Sequence, residues 1–361
     1  MHILSPSYWP QPATPYESEA LDFCKAWQSG QTEFVLHTSG STGTPKPIRL
    51  TRAQMQASAR LTGQTLDLQA GDAALVCLNI RYVAGTMMLV RGLELGLPMT
   101  LLEPSSNPLE HLDPTTSHFA FTALVPLQLQ TILEQSPDKL PILNGMKAIL
   151  VGGAATSMAL EKALQVITAP VFATYGMTET VSHIALRRLN GPDASAIFKA
   201  LDGVTLGTDE RGCLHITSAA TNFERVQTND VVELLDNLHF RLLGRADAII
   251  NSGGVKLQPE LIEQRISQVL TNYGLSHRVI IAGLPDEQLG QRVVAFIELI
   301  HSTPSESFWQ AWETAEADIR QTIGKYVIPK DVIIVPNFAE TPTGKIDRRA
   351  TVANYLDQSP S

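Results

Sequence analysis

Cysteine is scarce in this sequence, and neither a dense basic cluster nor an uninterrupted apolar run of membrane-spanning length is present. The three cysteines, Cys24, Cys77 and Cys213, are far apart and lack metal-ligand spacing. We therefore expect reduced core thiols, as in a cytoplasmic protein, rather than a disulfide framework or a zinc site.

Acidic residues outnumber basic ones, 36 against 27, and the formal net charge is −9. This balance argues against a nucleic-acid partner, because phosphate backbones are bound by clustered Lys and Arg. Residues 1–20 do not have the basic start and apolar stretch of a secretory signal. The most apolar long segment, 82–99, is interrupted by Arg91 and Glu94, so we expect no membrane span and a cytosolic location.

The length of 361 residues, with 44% apolar and 17% charged residues, is typical of a globular protein with two unequal domains. Strand-like segments alternate with helix-like segments before about residue 200, which predicts an α/β fold. The strand-like segments are 33–36, 74–80, 99–102, 118–122, 147–151 and 170–174, and the helix-like ones lie near 52–65, 84–95, 126–134 and 157–166.

From about residue 201 the pattern changes to short alternating segments with a hairpin turn at Asp236 and Asn237, which favours a meander or a small β-barrel. After residues 244–247, two helical patterns and about three strands indicate a compact α+β unit. We predict a large N-terminal domain, 1–245, and a small mobile C-terminal domain, 246–361.

Glycines and hydroxylated residues crowd the segment HTSGSTGTPKPIRLT, residues 37–51, directly after an apolar strand. Such a loop offers backbone N–H groups and hydroxyls to phosphate oxygens, and Lys46 adds charge. It differs from the common P-loop, because Lys46 lies between Pro45 and Pro47 instead of in a GK[ST] sequence. Taken alone, a flexible solvated loop remains the alternative interpretation.

Further segments follow in a fixed order: GGAAT (152–156), ATYGMTET (173–180), TND (228–230), GRADAIINSGGVKLQPELIE (244–263) and TPTGKIDRR (341–349). Together with the loop, they resemble the signature segments of the adenylate-forming acyl-CoA synthetases over about residues 33–350. Through its compact N-terminus and residues 78–96, the chain is most similar to the short o-succinylbenzoate–CoA ligases of menaquinone or phylloquinone biosynthesis. The resemblance implies a large adenylate-forming domain with a small mobile one.

The resemblance also implies the reaction and its cofactors. A carboxylic acid is joined to AMP from ATP with release of pyrophosphate, and the thiol of coenzyme A then displaces AMP. Both steps concentrate negative charge, which calls for fixed donors, a lysine and Mg²⁺. The partners would be the small acid, ATP and coenzyme A.

By resemblance, nucleotide-binding roles fall on three groups of residues. The β- and γ-phosphates would lie in the loop formed by Thr38, Ser39, Gly40, Ser41, Thr42, Gly43 and Lys46. Adenine would lie against Gly152, Gly153 and Ala154 and stack on Tyr175 beside Gly176, while Asp230 and Arg245 would hold the ribose. Thr178 would contact the α-phosphate and the acid, and Glu179 with Thr42 would hold Mg²⁺.

Movement of the small domain would serve the two half-reactions in turn. Lys345 would bridge the acid and the α-phosphate in the first step, Asp247 would be the hinge, and Gly253 and Gly254 would admit the pantetheine arm in the second.

Several of these roles have a structural alternative. These are a core aromatic for Tyr175, a turn residue for Asp230, a loop salt bridge for Arg245 with Asp247, a surface lysine for Lys345 and a tight turn for the two glycines.

The acid pocket departs from the family pattern, since Arg81 and Tyr82 stand where the family has Phe-His. Arg81 is our candidate partner for a second substrate carboxylate, with Tyr82 beside the ring. An exposed Arg81 bridged to a surface acid is the alternative, and Arg91 is then the next candidate. Asn229, Ala248 and Pro47 also depart from the pattern, and the shortened N-terminal region leaves a homodimer open.

Two other function classes remain open: a P-loop-like ATPase or kinase, and a non-catalytic adenylate-binding module. A ligase for another aryl or fatty acid, or one that stops at the adenylate, is the alternative among enzymes.

Overall fold

The computed structural model describes residues 1–3, 9–37, 47–275, 277–299, 304–341 and 346–358. A large sheet and a small sheet organise this part of the chain, and a short hairpin is paired with neither. The mixed α/β fold class predicted from the sequence is confirmed.

One half of the large sheet is mainly parallel. The strands before residue 246 are β1 (His2–Ile3), β2 (Glu33–His37), β3 (Pro47–Thr51), β4 (Ala74–Val76), β5 (Met99–Leu101), β6 (Phe121–Leu124), β7 (Ala148–Val151), β8 (Val171–Gly176), β9 (His183–Arg188), β10 (Phe198–Ala200), β11 (Thr205–Thr208), β12 (Cys213–Thr217), β13 (Val226–Leu234) and β14 (His239–Arg245). The twelve-stranded sheet has the order β1-β5-β4-β6-β7-β8-β9-β10-β14-β13-β12-β11. Strands β5, β4, β6, β7 and β8 are parallel neighbours, so the segments after β4, β6, β7 and β8 meet along one rim.

Strands β9 to β14 extend the same sheet through antiparallel pairs. The predicted hairpin turn joins β13 to β14, where the Asp236 carboxylate accepts hydrogen bonds from the N–H groups of Leu238 and His239. The predicted meander is therefore confirmed. Within the described residues its strands continue the large sheet in an open path instead of closing into the small β-barrel that was the other interpretation.

Helices accompany the sheet, and α1, α2 and α6 start at a residue whose side chain caps the helix. They are α1 (Pro15–Gln28), α2 (Arg52–Thr65), α3 (Val83–Leu95), α4 (Pro126–Gln135), α5 (Leu140–Asn144) and α6 (Met158–Ala163). Thr51 and Gln54 form a capping box at the start of α2. Gly96, in the left-handed conformation at φ 68°, ends α3. Residues 85–92 of α3 are buried, so this helix is a core element around which polar groups must find partners.

The hairpin of β2 and β3 pairs Glu33 with Thr51 at its open end and His37 with Pro47 at its tip. Phe34 and Leu50 pack in a separate cluster with Trp27 of α1. The strand predicted at 33–36 is confirmed as β2, and within the described residues its strand neighbour is β3 rather than a strand of the large sheet.

The small sheet has five strands: β15 (Ile250–Ser252), β16 (Val255–Leu257), β17 (Val279–Asp286), β18 (Gly290–Glu298) and β19 (Asp331–Val335). Helices α7 (Pro259–Asn272), α8 (Glu306–Thr322) and α9 (Arg348–Gln358) accompany it. Apolar residues at helical spacing, such as Phe308, Trp312, Ala315 and Ile319 of α8, face this second core.

The three cysteines agree with their predicted role as core thiols. Cys24, Cys77 and Cys213 are buried and free, and burial raises the pKa of the Cys24 and Cys77 thiols to about 12. We expect these groups to be unreactive at neutral pH.

The two parts of the chain touch where the large sheet ends. A Cβ on Gly244 would lie 2.4 Å from Oε2 of Glu260, so α7 packs directly against this backbone. We propose the domain boundary between residues 245 and 246, because β14 ends at Arg245 and the small sheet starts at Ile250. No described helix combines the length and the apolar character that crossing a bilayer requires.

Candidate functional site

Neighbouring strands bring two predicted segments together on the rim of the large sheet. Gly152 and Gly153 directly follow β7, and Thr178 follows β8, which lies next to it. A Cβ on Gly152 would lie 2.4 Å from Oγ1 of Thr174, and Gly153 has φ 88°, so both positions favour glycine. Ala154 is half-buried beside them. A flat ligand can approach the backbone of this rim closely. Contact of these residues with adenine remains a prediction.

Tyr175 is a buried core aromatic whose hydroxyl has a polar partner. Its ring packs against Phe198 and Phe240, and its hydroxyl donates a hydrogen bond to Oδ2 of Asp230 at 2.6 Å. Burial, and then the charge of Asp230, raise the pKa of Tyr175 well above its usual value. The geometry corresponds to the structural alternative for Tyr175, and stacking on a base remains a prediction.

Asp230 lies in β13 rather than in a turn, and both of its carboxylate oxygens have partners. Arg245 donates from Nη1 to Oδ1 of Asp230 at 3.1 Å. The same guanidinium donates from Nε and Nη2 to the two carboxylate oxygens of Asp247, each at 2.9 Å. Hydrogen bonds from Arg245 hold the pKa of Asp247 below its usual range. The structure therefore joins Asp230, Arg245 and Asp247, and the salt bridge of Arg245 with Asp247 is the structural alternative given for that pair.

The turn between β8 and β9 places the predicted α-phosphate residue. Thr178 is buried and begins a 3-10 turn, Thr178–Thr180, while Glu179 is exposed. Val181 follows at φ 66°, and a positive φ is unusual for a β-branched residue. A Cβ on Gly176 would lie 2.2 Å from the carbonyl oxygen of Ser182, so only glycine fits where the turn folds back.

Glu179 suits the predicted magnesium ion by its type and exposure. Mg²⁺ in nucleotide sites is held by one or two carboxylates together with substrate phosphates, rather than by a full set of protein ligands. The described residues contain no group of three or more His, Cys, Asp or Glu that could hold a metal. The exposed, singly placed Glu179 fits the first kind of site, with the ion contributing charge to the bound phosphates.

Arg91 lies next to this turn and was not predicted as the main acid-binding residue. Its side chain is buried in α3, with 2% of the residue exposed. Nε donates to Oγ1 of Thr62 at 3.1 Å, and Nη2 donates to Oγ of Ser182 at 2.5 Å. Nη2 also lies 3.5 Å from Nδ1 of His183. We call Arg91, Thr62, Ser182 and His183 the arginine cluster. Thr62 and His183 are buried, whereas Ser182 is half-buried and forms the accessible side of the cluster.

The arginine cluster carries a charge that no acid compensates among the described residues. The partners of Arg91 there are hydroxyls, an imidazole and the sulfur of Met88. Burial lowers the pKa of Arg91 to about 9, so the group stays charged at neutral pH. Buried charges in proteins are normally paired, which makes this guanidinium a strong candidate for binding an anion. A lone arginine inside an apolar helical pattern was the signal in the sequence.

Arg81, the predicted partner of the substrate carboxylate, lies at the surface. Its side chain is 73% exposed and donates from Nε to the carboxylate of Glu19 at 3.1 Å. This is the alternative that we left open, a bridge to a surface acid. Tyr82 is half-buried at the N-cap of α3.

Gly253 and Gly254 form the two-residue turn between β15 and β16. They have φ 58° and 83°, and the strands pair at Ser252 and Val255. Positive φ at both positions is the signature of a type I′ hairpin turn. The tight turn is thus observed, and contact with pantetheine remains a prediction.

Several predicted site residues lie outside the described residues. These are Thr38, Ser39, Gly40, Ser41, Thr42, Gly43 and Lys46 of the phosphate loop, and Lys345. The flanking backbone is described: His37 pairs with Pro47, and Glu340 forms a β-bridge with Ile346.

Comparisons with known proteins identify the family of this chain. The family model of the AMP-binding enzymes matches residues 5–205. The model of the AMP-binding enzyme C-terminal domain matches residues 266–345. A solved acyl-CoA synthetase (AMP-forming)/AMP-acid ligase II-like protein from Dyadobacter fermentans is 46% identical, with a TM-score of 0.66, over 98% of this chain and 99% of that one.

Two more distant proteins are named for the same substrate, succinylbenzoate. A 2-succinylbenzoate–CoA ligase from Listeria innocua is 28% identical over 91% of this chain and 71% of its own length. The o-succinylbenzoate coenzyme A synthetase from Bacillus subtilis, solved with ATP and magnesium, is 20% identical with a TM-score of 0.70, over 88% of this chain and 69% of that one. This structural likeness shows a shared fold.

Proposed function

This chain belongs to the AMP-binding enzyme family, and we propose that within this family it is the o-succinylbenzoate–CoA ligase of menaquinone or phylloquinone biosynthesis. The observation that carries the proposal is the buried Arg91, which has no acidic partner among the described residues. The names of relatives at 24–28% identity support the same substrate.

The substrate has the chemistry that such a cluster requires. o-Succinylbenzoate carries an aliphatic carboxylate, which is activated, and a ring carboxylate, which must stay charged inside the pocket. An unpaired carboxylate in a buried site is costly, whereas a guanidinium matches a carboxylate with two donors. Ser182 is the half-buried member of the cluster, so the ring carboxylate would approach Arg91 from that side.

The activated carboxylate would then lie near Thr178. Ser182 and Thr178 belong to the same tight turn between β8 and β9, and Gly176 brings the two strands together there. A substrate with two carboxylates could therefore place one against Arg91 and the other beside Thr178. A substrate with one carboxylate would leave the charge of Arg91 uncompensated.

The reaction would proceed in two balanced steps. A carboxylate oxygen attacks the α-phosphorus of ATP, and the bond to pyrophosphate breaks. The thiol sulfur of coenzyme A, after losing its proton, then attacks the acyl carbon, and AMP leaves. Lys345 and Thr178 would stabilise charge that develops in the first step, and Asp230 with Arg245 would hold the ribose. Mg²⁺ held at Glu179 would offset phosphate charge.

A panel of carboxylic acids tests this proposal. Pyrophosphate release should depend on added o-succinylbenzoate, and a CoA thioester of that acid should form when coenzyme A is present. Benzoate, succinate and a medium-chain fatty acid are the comparison substrates. Faster turnover of any of these would identify another acid ligase, and pyrophosphate release without thioester would indicate an enzyme that stops at the adenylate.

A further inference from the structure

His183 is the member of the arginine cluster to which no function has yet been given. It is the first residue of β9, lies opposite Gly176 of β8, and is buried. Its Nδ1 lies 3.5 Å from Nη2 of Arg91 and 3.2 Å from Oγ of Ser182. Its Nε2 lies 3.3 Å from Oγ1 of Thr62. The ring thus touches every other polar member of the cluster.

The hydrogen-bond donors of the cluster fix the tautomer of His183. A guanidinium can only donate, so Nδ1 must accept and the ring proton must be on Nε2. The Nε2–H group then donates to Thr62, whose hydroxyl donates to the carbonyl oxygen of Ser58 at 3.0 Å. Thr62 also accepts from Nε of Arg91, so its two lone pairs and its proton are all used.

A neutral imidazole in this place holds the arginine without cancelling its charge. Burial, and then the charge of Arg91, lower the pKa of His183 well below its usual value, which keeps the ring neutral. A carboxylate at the same place would hold the guanidinium just as firmly, but it would neutralise it. The network therefore fixes the orientation of Arg91 and leaves its charge for an outside anion.

We infer that His183 is a positioning residue for substrate specificity: as an acceptor at Nδ1 it orients Arg91 toward the ring carboxylate. This inference rests on the proposed function, since it names a residue that supports recognition of that substrate. His183 itself does not have to touch the substrate. A purely structural His183 would instead contribute to packing and stability, and its loss would affect all substrates alike.

Two substitutions by amide residues test the roles of the two ring nitrogens separately. His183→Asn places a side-chain oxygen near the position of Nδ1, which keeps an acceptor for Arg91 and loses the donor to Thr62. His183→Gln places an amide group near the position of Nε2, which keeps the donor and loses the acceptor. His183→Leu removes both. His215→Leu, a half-buried histidine of β12, is the matched control.

The measurement is the ratio of kcat/KM for o-succinylbenzoate to that for the analogue without the ring carboxylate. We expect His183→Leu and His183→Gln to lower this ratio about tenfold, mainly through a higher KM for o-succinylbenzoate, as for a lost hydrogen bond to a charged group. His183→Asn and His215→Leu should keep the ratio close to that of wild type. The Asn and Gln variants give the answer even if the Leu variant does not fold.

The outcomes distinguish this inference from the proposed function. A wild-type enzyme that prefers o-succinylbenzoate, with equal ratios in His183→Asn and His183→Gln, overturns the positioning role alone. Equal losses of kcat/KM for both substrates show a structural role of His183 and also overturn the positioning role. A wild-type enzyme without preference for the ring carboxylate overturns both proposals.

Discussion

Arg81 and Arg91 lie in the same stretch of sequence, and their surroundings determine which of them can bind a buried carboxylate. Arg81 precedes the start of α3 and reaches Glu19 at the surface. Arg91 lies in the buried part of the helix and reaches Ser182. In the sequence, the position of Arg81 within the acid-pocket segment favoured this residue. Which face of α3 is buried depends on its contacts with α2 and β9, and a local sequence pattern does not show those contacts.

His183 predicts a pH dependence of stability. Its pKa is lowered in the folded protein relative to the usual 6.5, so the unfolded chain binds the proton first as the pH falls. The stabilisation is complete above about pH 7 and is lost below the usual histidine pKa, by up to about 1.4 kcal/mol per pH unit. Urea unfolding between pH 7.5 and pH 5, in about half-unit steps, should show wild type losing more stability than His183→Asn. Parallel curves would contradict a neutral buried His183.

Lys345 gives a kinetic prediction that depends on the sequence resemblance, because this residue lies outside the described part of the chain. Lys345→Ala should reduce adenylation by about two or more orders of magnitude, as removal of other electrostatic stabilisers does. Thioester formation from a preformed acyl-adenylate should be spared, since the lysine acts on charge that develops in the first step. Single-turnover assays of each half-reaction measure this, and equal damage to both would contradict the role.

Among the secondary structure elements, those with local periodic signals were predicted and those that depend on distant partners were not. Strands β7 and β8 and helix α2 lie where the alternation of strand-like and helix-like segments predicted them. The joining of the meander to the large sheet was missed, because strand pairing is decided by partners far away in the sequence. The pairing of β2 with β3 was also missed, although these strands are neighbours along the chain. Helix α1 was also missed, although Thr14 followed by Pro15 is a helix-start signal.

The turn between β8 and β9 should not tolerate a side chain at Gly176. The added Cβ of Gly176→Ala would lie 2.2 Å from the Ser182 carbonyl oxygen and 2.6 Å from Cα of His183, and both are backbone atoms. We expect a loss of about 1–3 kcal/mol in the free energy of unfolding, as for other overpacked sites. Gly145→Ala is the control, because its nearest contact would be an ordinary 3.5 Å. Equal urea midpoints for the two variants would contradict this packing.

The chain as a unit combines a large α/β part and a small C-terminal part, and both match the AMP-binding enzyme family. The family, the fold class and the class of enzyme, an AMP-forming CoA ligase, were predicted from the order of short segments and are confirmed. The roles of single residues and the movement of the small part remain predictions. One arrangement of the two parts is described, whereas the reaction is expected to need two.

Asp247 tests this movement at the predicted hinge. Proline fixes φ and removes the N–H donor, so Asp247→Pro should favour one arrangement and damage the two half-reactions unequally. Asp247→Ala is the matched control, since it also loses the salt bridge to Arg245 but leaves the backbone free. Separate assays of adenylation and thioester formation should show imbalance in the Pro variant alone. Unchanged rates in that variant would count against a hinge at this residue.

Recognition of the ring carboxylate by Arg91 is tested by kcat/KM for o-succinylbenzoate and for its analogue without that group, in wild type, Arg91→Gln and Arg81→Gln. Arg91→Gln removes the buried charge, while Arg81→Gln changes an exposed arginine of the same segment. We expect wild type and Arg81→Gln to prefer o-succinylbenzoate by about two orders of magnitude, and Arg91→Gln to lose most of this preference. A preference that survives in Arg91→Gln, or disappears in Arg81→Gln, would contradict the account.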